Sequence, residues 1–251
     1  MRADPPVPVR LVSFVVPCWN EEALLGRTLD GLFAAARRLE LPFEVIVADD
    51  ASTDRTAQIA RARGALVITT ARRQIAATRN NGARAARGDL LIFVDADTLV
   101  TPEVVQAAVR AVRHGAVGGG CAVRFDDPVP LYARILIPGF NRLYRASGLA
   151  AGCFLFCTRQ AFQAVGGFDE GYYASEECWL SWALKRQGRF VILPETVLTS
   201  SRKLRTHSAR EILAALLRLI LRGRNSLRDR QGKEMWYGPR RPDPQPAPHL
   251  E

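Results

Sequence analysis

The feature that most constrains the fold is an alternation of strand-like and helix-like segments over the first hundred residues. Short apolar runs typical of strands lie at residues 11–16, 43–48, 66–69 and 90–94. Segments with helical periodicity separate them, at residues 21–39, 54–63 and 74–87. Strands that alternate with helices of this length predict an α/β fold with a mostly parallel central sheet and helices on both faces.

Two carboxylates follow directly on the last of these apolar runs. Asp95 and Asp97 are separated by one residue, and ligands of parallel α/β sheets bind at the carboxyl ends of the strands. Two carboxylates on one face repel each other, and a divalent cation such as Mg²⁺ or Mn²⁺ relieves that repulsion while bridging to nucleotide phosphates. Taken alone, this pair of aspartates is weak evidence for a metal site, because acidic residues are also common in turns.

Polar residues also follow the first two strand-like runs, with Trp19 and Glu21 after the first and Asp49 and Asp50 after the second. The ends of these strands are expected to meet at the same edge of the sheet. Beyond residue 100 the pattern is less regular. The elements predicted there are a helix opening at Thr101, a strand at 121–125, a helix at 129–147 with a break at Pro138, a strand at 152–157, a helix at 176–187 and a strand at 190–193.

The positive charge of the chain lies mostly near its C-terminal end. The formal net charge is +10, and residues 202–251 hold 12 Lys and Arg against 5 Asp and Glu, which leaves +3 for residues 1–201. The main body is therefore not predicted to bind nucleic acid. The basic end suits anionic lipid, a nucleotide diphosphate, an acidic partner or simple solubility.

The five cysteines indicate a reduced compartment, and the chain contains no long apolar run. The cysteines are odd in number and lack zinc-type spacing, so core packing is expected of them. No run reaches the roughly 18 apolar residues of a membrane span, and no apolar leader follows Met1. We expect a cytoplasmic protein, with contact at the inner face of the membrane as an open alternative.

Four motifs occur in order along the chain: VVPCWNEE, VADDASTDRT, ATRNNGARAARGDLLIFVDADT and GGFDEGYYASEE. Their order and spacing resemble the family 2 glycosyltransferases, inverting enzymes with the GT-A fold. The resemblance covers residues 12–193. It implies a Rossmann-like three-layer α/β/α sandwich as a catalytic domain over residues 1–205, a nucleotide-sugar donor, and Mn²⁺ or Mg²⁺ held by a D-x-D motif.

The resemblance also implies the residues that bind the nucleotide. Trp19 matches an aromatic residue that lies against the base, with Pro17 and Glu21 around it. Asp49 and Asp50 match an acidic pair, and Asp50 is the one expected to accept a hydrogen bond from the N3–H of uracil. The competing interpretations are a core role for Trp19 and turn chemistry for the two aspartates.

A second group of residues is implied for catalysis. Arg79 is expected beneath the nucleotide, Asp97 on the metal, and Asp95 on the ribose or on a metal-bound water. Glu177 is expected to be the general base, with Glu176 as the other candidate. Here the sequence departs from the family, because the usual base is an aspartate, one methylene shorter.

Further departures concern the substrates. Many relatives place a histidine after the last strand, whereas Arg202 or Lys203 stands near that position. The Q-x-x-R-W motif of processive synthases is absent, so a single transfer per encounter is expected. The resemblance also implies a role in making cell-envelope polysaccharide. Residues 125–151 are expected on the acceptor side. The sequence does not identify the molecule that carries the acceptor hydroxyl, and a lipid-linked acceptor is one of the options.

The C-terminal part is predicted as a helical extension over residues 206–237 and a disordered, proline-containing tail over residues 238–251. The apolar helix at 209–221 is expected to pack on the domain, on a second copy of the chain, or on a membrane surface.

The sequence thus predicts an inverting, metal-dependent, non-processive glycosyltransferase that uses a UDP-sugar. Two alternatives stay open. One is a nucleotidyltransferase, although VVPCWNEE is not the glycine-rich basic loop of that class. The other is a non-catalytic nucleotide-sugar-binding protein with a decayed site, which the Asp-to-Glu change at the base favours.

Overall fold

The computed structural model describes residues 8–212, 214, 227–230 and 232–243. One sheet contains all eight strands that it defines there: β1 Val12–Cys18, β2 Phe43–Asp49, β3 Leu66–Thr69, β4 Leu90–Val94, β5 Thr98–Leu99, β6 Ala116–Phe125, β7 Phe154–Thr158 and β8 Arg189–Thr199. The helices are α1 Leu25–Arg37, α2 Thr56–Ala62, α3 Ile75–Ala85, α4 Pro102–Arg113, α5 Leu131–Ser147, α6 Arg159–Ala164, α7 Glu176–Lys185, α8 Arg202–Thr206 and α9 Glu234–Tyr237.

The strand order is β3-β2-β1-β4-β7-β6-β8-β5. Strands β3, β2, β1 and β4 pair in parallel, and β6 pairs in parallel with β8. Strand β7 is antiparallel to both β4 and β6, and β5 is antiparallel to β8. The predicted α/β fold with a mostly parallel sheet is therefore confirmed.

Two apolar cores lie on opposite faces of this sheet, because successive strand side chains point in opposite directions. Phe14 of β1 packs in the core that contains Leu29 of α1. The next residue, Val15, packs in the other core with Phe93 of β4 and Phe162 of α6. Two helical layers around a central sheet make the three-layer sandwich.

The loops after β1 and β2 are tied to each other by hydrogen bonds. The side-chain oxygen of Asn20 accepts from Thr53 N at 2.8 Å, and Asn20 N donates to Ser52 Oγ at 2.9 Å. Asp54 accepts from Thr56 N at 2.9 Å, where α2 begins. Because Asn20 has a φ of 50° and leads into a turn, α1 begins at Leu25 and not at residue 21 as predicted.

Two prolines do not end elements as the sequence predicted. Strand β8 continues past Pro194, because Leu193 pairs with Cys121 while Thr196 pairs with Ala122, so that Pro194 lies in a bulge of the ladder. Helix α5 is continuous through Pro138, which lies on its exposed side. A proline has no N–H to donate to the carbonyl one turn earlier, and on the exposed side of the helix water can solvate that carbonyl.

The C-terminal part is described in pieces. Residues 209–212 and 214 are helical, and the rest of the predicted helix at 209–221 lies outside the described residues. Residues 238–243 differ from the disordered tail expected there, because Arg240 and Asp243 form ion pairs with the domain. Residues 244–251 are outside the described ranges, and the helical appendage stays a prediction. No helix in the described part of the chain is long and apolar enough to cross a bilayer.

The close approach of α3 to β1 depends on Gly82. A Cβ at this position would overlap Cγ1 of Val15 and lie 3.4 Å from Cβ of Ala48. We predict that Gly82→Ala lowers the free energy of unfolding by about 1–3 kcal/mol through overpacking, measured by urea denaturation. Gly139→Ala in α5 is the matched control, because nothing lies within 4 Å of its added Cβ. It should stabilise by about 0.5–1 kcal/mol through helix propensity. Equal effects of the two changes would contradict this packing.

Candidate functional site

A cavity of about 430 Å³ lies at the carboxyl edge of the sheet. All the predicted site residues except Asp49 line it: Pro17, Trp19, Glu21, Asp50, Arg79, Asp95, Asp97, Glu176 and Glu177. Their segments meet here because β1 pairs in parallel with both β2 and β4, so the loops after the three strands are neighbours. Helix α7 brings its first turn to the same place.

Arg79 lies at the centre of this arrangement, and its side chain is 4% exposed. Its Nη1 donates to Glu176 Oε1 at 2.6 Å, and its Nη2 donates to Asp95 Oδ1 and to the Gly152 carbonyl, both at 2.8 Å. Burial alone would lower the pKa of Arg79, but Asp95 and Glu176 raise it above its ordinary value. The guanidinium is thus a permanent cation that joins α3, the end of β4 and the start of α7.

Asp95 and Asp97 follow the end of β4 in a turn closed by Thr98 N donating to the Asp95 carbonyl at 3.1 Å. One oxygen of Asp95 is bound to Arg79. The partly exposed carboxylate of Asp97 makes no hydrogen bond or ion pair with any described residue, although its backbone carbonyl accepts from Ser200 N at 3.0 Å. Asp97 is therefore the carboxylate most available to a ligand.

Within the described ranges, no group of three or more His, Cys, Asp or Glu side chains is placed to hold a metal ion. Two carboxylates facing one cavity still fit Mg²⁺ or Mn²⁺ in a nucleotide site. Mg²⁺ is commonly bound through one or two carboxylates, with phosphate oxygens and water completing an octahedral shell. The donor set fits a cation that arrives with its nucleotide, and it does not fit a site made of protein ligands alone.

The two carboxylates at the start of α7 have different surroundings. Glu176 is buried and paired with Arg79, whereas Glu177 is partly exposed to the cavity. Burial, and then the neighbouring Glu176 carboxylate, raise the pKa of Glu177 to about 8. A Cβ on Gly152 would lie 3.5 Å from Cδ of Glu177, so the lack of a side chain at Gly152 leaves room beside this carboxyl group.

Trp19 lines the cavity, but one face of its indole is covered. The guanidinium carbon of Arg73 lies 3.2 Å from the ring centroid, and that of Arg240 lies at 5.3 Å. Arg73 has a φ of 49° and donates from Nη2 to the Tyr237 carbonyl at 3.0 Å. The resemblance implies that this ring lies against a nucleotide base, and in the structure an arginine is stacked on it.

Glu21 lies between two arginines and is buried. Its carboxylate is 2.7 Å from Arg202 Nη2 and 2.6 Å from Arg240 Nη2. Burial raises the pKa of Glu21, although both arginines act in the opposite direction. Arg202 is therefore engaged, while Lys203 lines the cavity and its ammonium makes no ion pair with the residues that the structure describes.

Asp50 organises the loop that leads into α3. Its Oδ1 accepts from Arg72 N at 2.8 Å and Arg73 N at 3.0 Å, and its Oδ2 accepts from Gln74 N at 3.0 Å. A carboxylate has about four acceptor directions, so roughly one remains for a ligand. Asp49 accepts from Ser52 N at 3.3 Å and is not among the cavity residues.

Several cavity residues carried no signal in the sequence. Arg73 stands in a loop without a motif, and Tyr237 and Arg240 come from a segment far along the chain from β1. On the opposite side, the segment expected to face the acceptor does contribute to the cavity, through Phe125, Asn141, Tyr144, Ala151 and their neighbour Val123. A contact between residues more than 200 positions apart has no local pattern that could reveal it.

Solved structures with the same architecture are GT-A glycosyltransferases. A mannosyltransferase from Pyrobaculum calidifontis, in complex with GDP-Man and Mn²⁺, matches with a TM-score of 0.68 and 21% identity over 94% of this chain and 69% of its own. Glucosyl-3-phosphoglycerate synthase from Mycobacterium tuberculosis, in complex with Mn²⁺ and UDP, matches with a TM-score of 0.59 and 21% identity over 91% and 80% of the two chains. The fold is thus the GT-A fold.

The family model described as glycosyl transferase family 2 matches residues 13–166, and the chain belongs to this family. Validoxylamine A glucosyltransferase from Streptomyces hygroscopicus subsp. jinggangensis is 31% identical over 235 residues, 77% of this chain and 54% of its own length. Undecaprenyl-phosphate 4-deoxy-4-formamido-L-arabinose transferase from Pseudomonas aeruginosa is 33% identical over 173 residues, 62% and 49% of the two chains. The chain spans about half the length of these curated relatives.

Arg79 should be essential to the stability of the site. We predict that Arg79→Met lowers the free energy of unfolding by about 3–5 kcal/mol, because it leaves the buried Glu176 and the partly buried Asp95 without their cation. Arg84→Met on the same helix is the control. Its guanidinium is 66% exposed and lies 3.3 Å from Glu170, so the change should cost less than about 1 kcal/mol. Urea denaturation at neutral pH measures both. Similar losses in the two variants would contradict the central role of Arg79.

Proposed function

We propose that this protein transfers a sugar with inversion from a nucleotide-sugar donor, a UDP-sugar, to an acceptor hydroxyl. The observation that carries the proposal is that Asp95, Asp97 and Glu177 line one cavity. Arg79 joins Asp95 to Glu176, the residue that precedes Glu177. Inversion is one displacement, so the reaction needs a base and stabilisation of the leaving group but no protein nucleophile.

The uracil base is assigned to the pocket of Trp19 and Asp50. The remaining acceptor direction of Asp50 can take the N3–H of uracil, and cytosine offers no donor at that atom. A base that stacks on the face of Trp19 covered by Arg73 requires the guanidinium to move, since its carbon is only 3.2 Å from the ring centroid. The proposal therefore includes displacement of Arg73 when the donor binds.

The diphosphate is assigned to the side of the cavity with Asp95, Asp97 and Lys203. Asp97 would hold Mn²⁺ or Mg²⁺, and Asp95 would contact the ribose or a metal-bound water. When bound, the cation would offset the negative charge that develops on the departing diphosphate. Two solved structures of the same fold were determined with Mn²⁺, which supports this assignment. Lys203 supplies a further positive charge. Its ammonium forms no ion pair with the described residues, so none of them competes with the diphosphate for it.

Glu177 is assigned as the base. It removes the proton from the acceptor hydroxyl, the acceptor oxygen bonds to the anomeric carbon, and the bond from that carbon to the diphosphate oxygen breaks. Glu176 holds Arg79 and is a positioning residue. Asn141 and Tyr144 line the side from which an acceptor would approach, and the relative from Pseudomonas is named for a lipid-linked undecaprenyl phosphate. A lipid-linked acceptor of the cell envelope accordingly belongs to the proposal.

Slow hydrolysis of the donor tests this assignment without knowledge of the acceptor. With UDP-glucose and Mn²⁺ we expect release of UDP, measured by chromatography. Asp97→Asn should reduce the rate roughly 100-fold or more, because the charge stabilisation by the cation is worth several kcal/mol. Asp30→Asn is the control, since Asp30 lies on the exposed surface of α1 and pairs only with Arg63 among the described residues.

Two further outcomes would contradict parts of the proposal. Absence of UDP release with every UDP-sugar, together with Mn²⁺-dependent binding of UDP, would indicate a binding protein and not an enzyme. Stabilisation by GDP and GDP-sugars, but not by their uridine counterparts, in a thermal unfolding assay would contradict the assignment of uracil to Asp50.

The pH dependence tests Glu177. Because its pKa is raised to about 8, the base form accumulates only as pH rises toward that value, and kcat/KM should rise over a more alkaline range than an ordinary glutamate gives. Glu177→Gln should lose about 10²- to 10⁴-fold in kcat, whereas Glu177→Asp should retain a base and the rising limb. A rate that survives Glu177→Gln would contradict the role.

Stability gives an independent measurement of the same group. The folded protein holds the Glu177 proton at pH values where the unfolded chain, with the ordinary pKa of 4.5, has released it. Wild-type stability should therefore fall, relative to Glu177→Gln, as pH rises from about 4.5 to about 8. The melting temperatures of the two proteins across this range check the sign.

A further inference from the structure

Helix α5 carries an exposed face that is both apolar and basic. Leu131 is 74% exposed and Ile135 70%. Arg142 and Arg145 are exposed on the same helix. We propose that this face of α5, which we call the α5 face (Leu131, Arg134, Ile135, Arg142 and Arg145), docks the protein on an anionic lipid bilayer.

The other side of α5 is anchored to the domain. Tyr132 Oη donates to the Leu204 carbonyl at 3.0 Å, Asn141 Nδ2 donates to the Val123 carbonyl at 3.2 Å, and Tyr144 Oη donates to the Ala150 carbonyl at 2.6 Å. Leu131, Ile135 and Arg142 are spaced by four and seven residues, so they lie along one side of the helix. The helix therefore presents a fixed face to the outside.

The charge of the α5 face is paired only weakly, and only at Arg134, within the described structure. Helix α5 contains no Asp or Glu, and neither Arg142 nor Arg145 forms an ion pair with a described residue. Arg134 has its nearest carboxylate at 3.9 Å, on Asp127, and both side chains are largely exposed. Such a pair is heavily screened by water and leaves Arg134 available to a stronger anionic partner.

Charge complementarity selects the occupant. A second copy that used the same face would bring arginines against arginines. The apolar segment 215–226 of this chain contains Arg218, Arg222 and Arg224 and no Asp or Glu, so it would also bring like charges together. A bilayer of anionic lipids offers phosphate charge for the arginines and an apolar interior for the leucine and isoleucine side chains, and it adapts to a convex helix without a shaped groove.

Docking would hold the bilayer against the outer side of α5, while Asn141 and Tyr144 on its inner side line the cavity. An acceptor carried on a lipid would then pass around this helix to reach the site from the membrane surface. This consequence rests on the proposed function. The docking itself does not, since it depends on the α5 face alone.

Flotation of the full chain with vesicles tests the docking. We expect the wild type to float with vesicles of equal parts phosphatidylglycerol and phosphatidylcholine, to float poorly with phosphatidylcholine alone, and to dissociate at high salt. The double change Leu131→Glu and Ile135→Glu should reduce the bound fraction at least tenfold. Leu66→Glu is the matched control, because Leu66 is 52% exposed on the edge strand β3, and it should float as the wild type does.

A second pair of variants separates the charge from the apolar contact. Arg142→Gln with Arg145→Gln should weaken partitioning by about fivefold for each arginine, while Arg84→Gln with Arg87→Gln, two exposed arginines near the end of α3, should leave it unchanged. Thermal unfolding confirms that each variant is folded.

Two outcomes would overturn the proposal. Undiminished flotation of the Leu131→Glu and Ile135→Glu protein would place the membrane contact elsewhere, for example in the basic C-terminal part. A wild type that does not float but is a dimer, and becomes a monomer with these two changes, would show that a second copy covers the face. Light scattering after size-exclusion chromatography gives the oligomeric state.

Discussion

The buried guanidinium of Arg79 is the interaction on which the rest of the site depends. It binds Asp95 from the end of β4, Glu176 from the start of α7 and the Gly152 carbonyl before β7, so one side chain aligns three separate segments. A buried charge is costly unless it is paired and hydrogen-bonded. Here two carboxylates meet that need, and both are thereby held beside the cavity. The same contact that stabilises the fold at this edge sets the geometry of the site.

Adjacent carboxylates acquire different properties from their surroundings. Glu176 and Glu177 are chemically identical and consecutive, yet the first is buried against Arg79 while the second faces the cavity with a raised pKa. Asp95 and Asp97 divide in the same way, since Asp95 is bound to Arg79 while the Asp97 carboxylate makes no hydrogen bond or ion pair with the described residues. In each pair, one carboxylate secures the structure and the other is left to meet a ligand.

Positive charge covers the opposite end of the cavity, where the base is proposed to bind. Arg73 stacks on Trp19, and Arg240 bonds to the Trp19 carbonyl and to Glu21. Arg202 and Lys203 stand near the position where many relatives have a histidine. Arg202 forms an ion pair with Glu21, whereas Lys203 forms none with the described residues. The pocket proposed for the donor is therefore built from the strand ends together with residues 232–243, which lie beyond the family-matched region 13–166.

The sequence by itself determined that the sheet is mostly parallel with helices on both faces, and it determined the family, because apolar periodicity and four ordered motifs can be read from neighbouring residues. It also grouped the predicted site residues, all of which except Asp49 line the cavity, since parallel strands end at one edge of the sheet. Only the tertiary structure decided which member of each carboxylate pair is engaged, that Arg73 covers Trp19, and that Arg240 reaches Glu21. It also showed that β8 continues past Pro194. Those outcomes depend on burial, on contacts between distant segments and on a bulge in a ladder, and none of these has a signature in neighbouring residues.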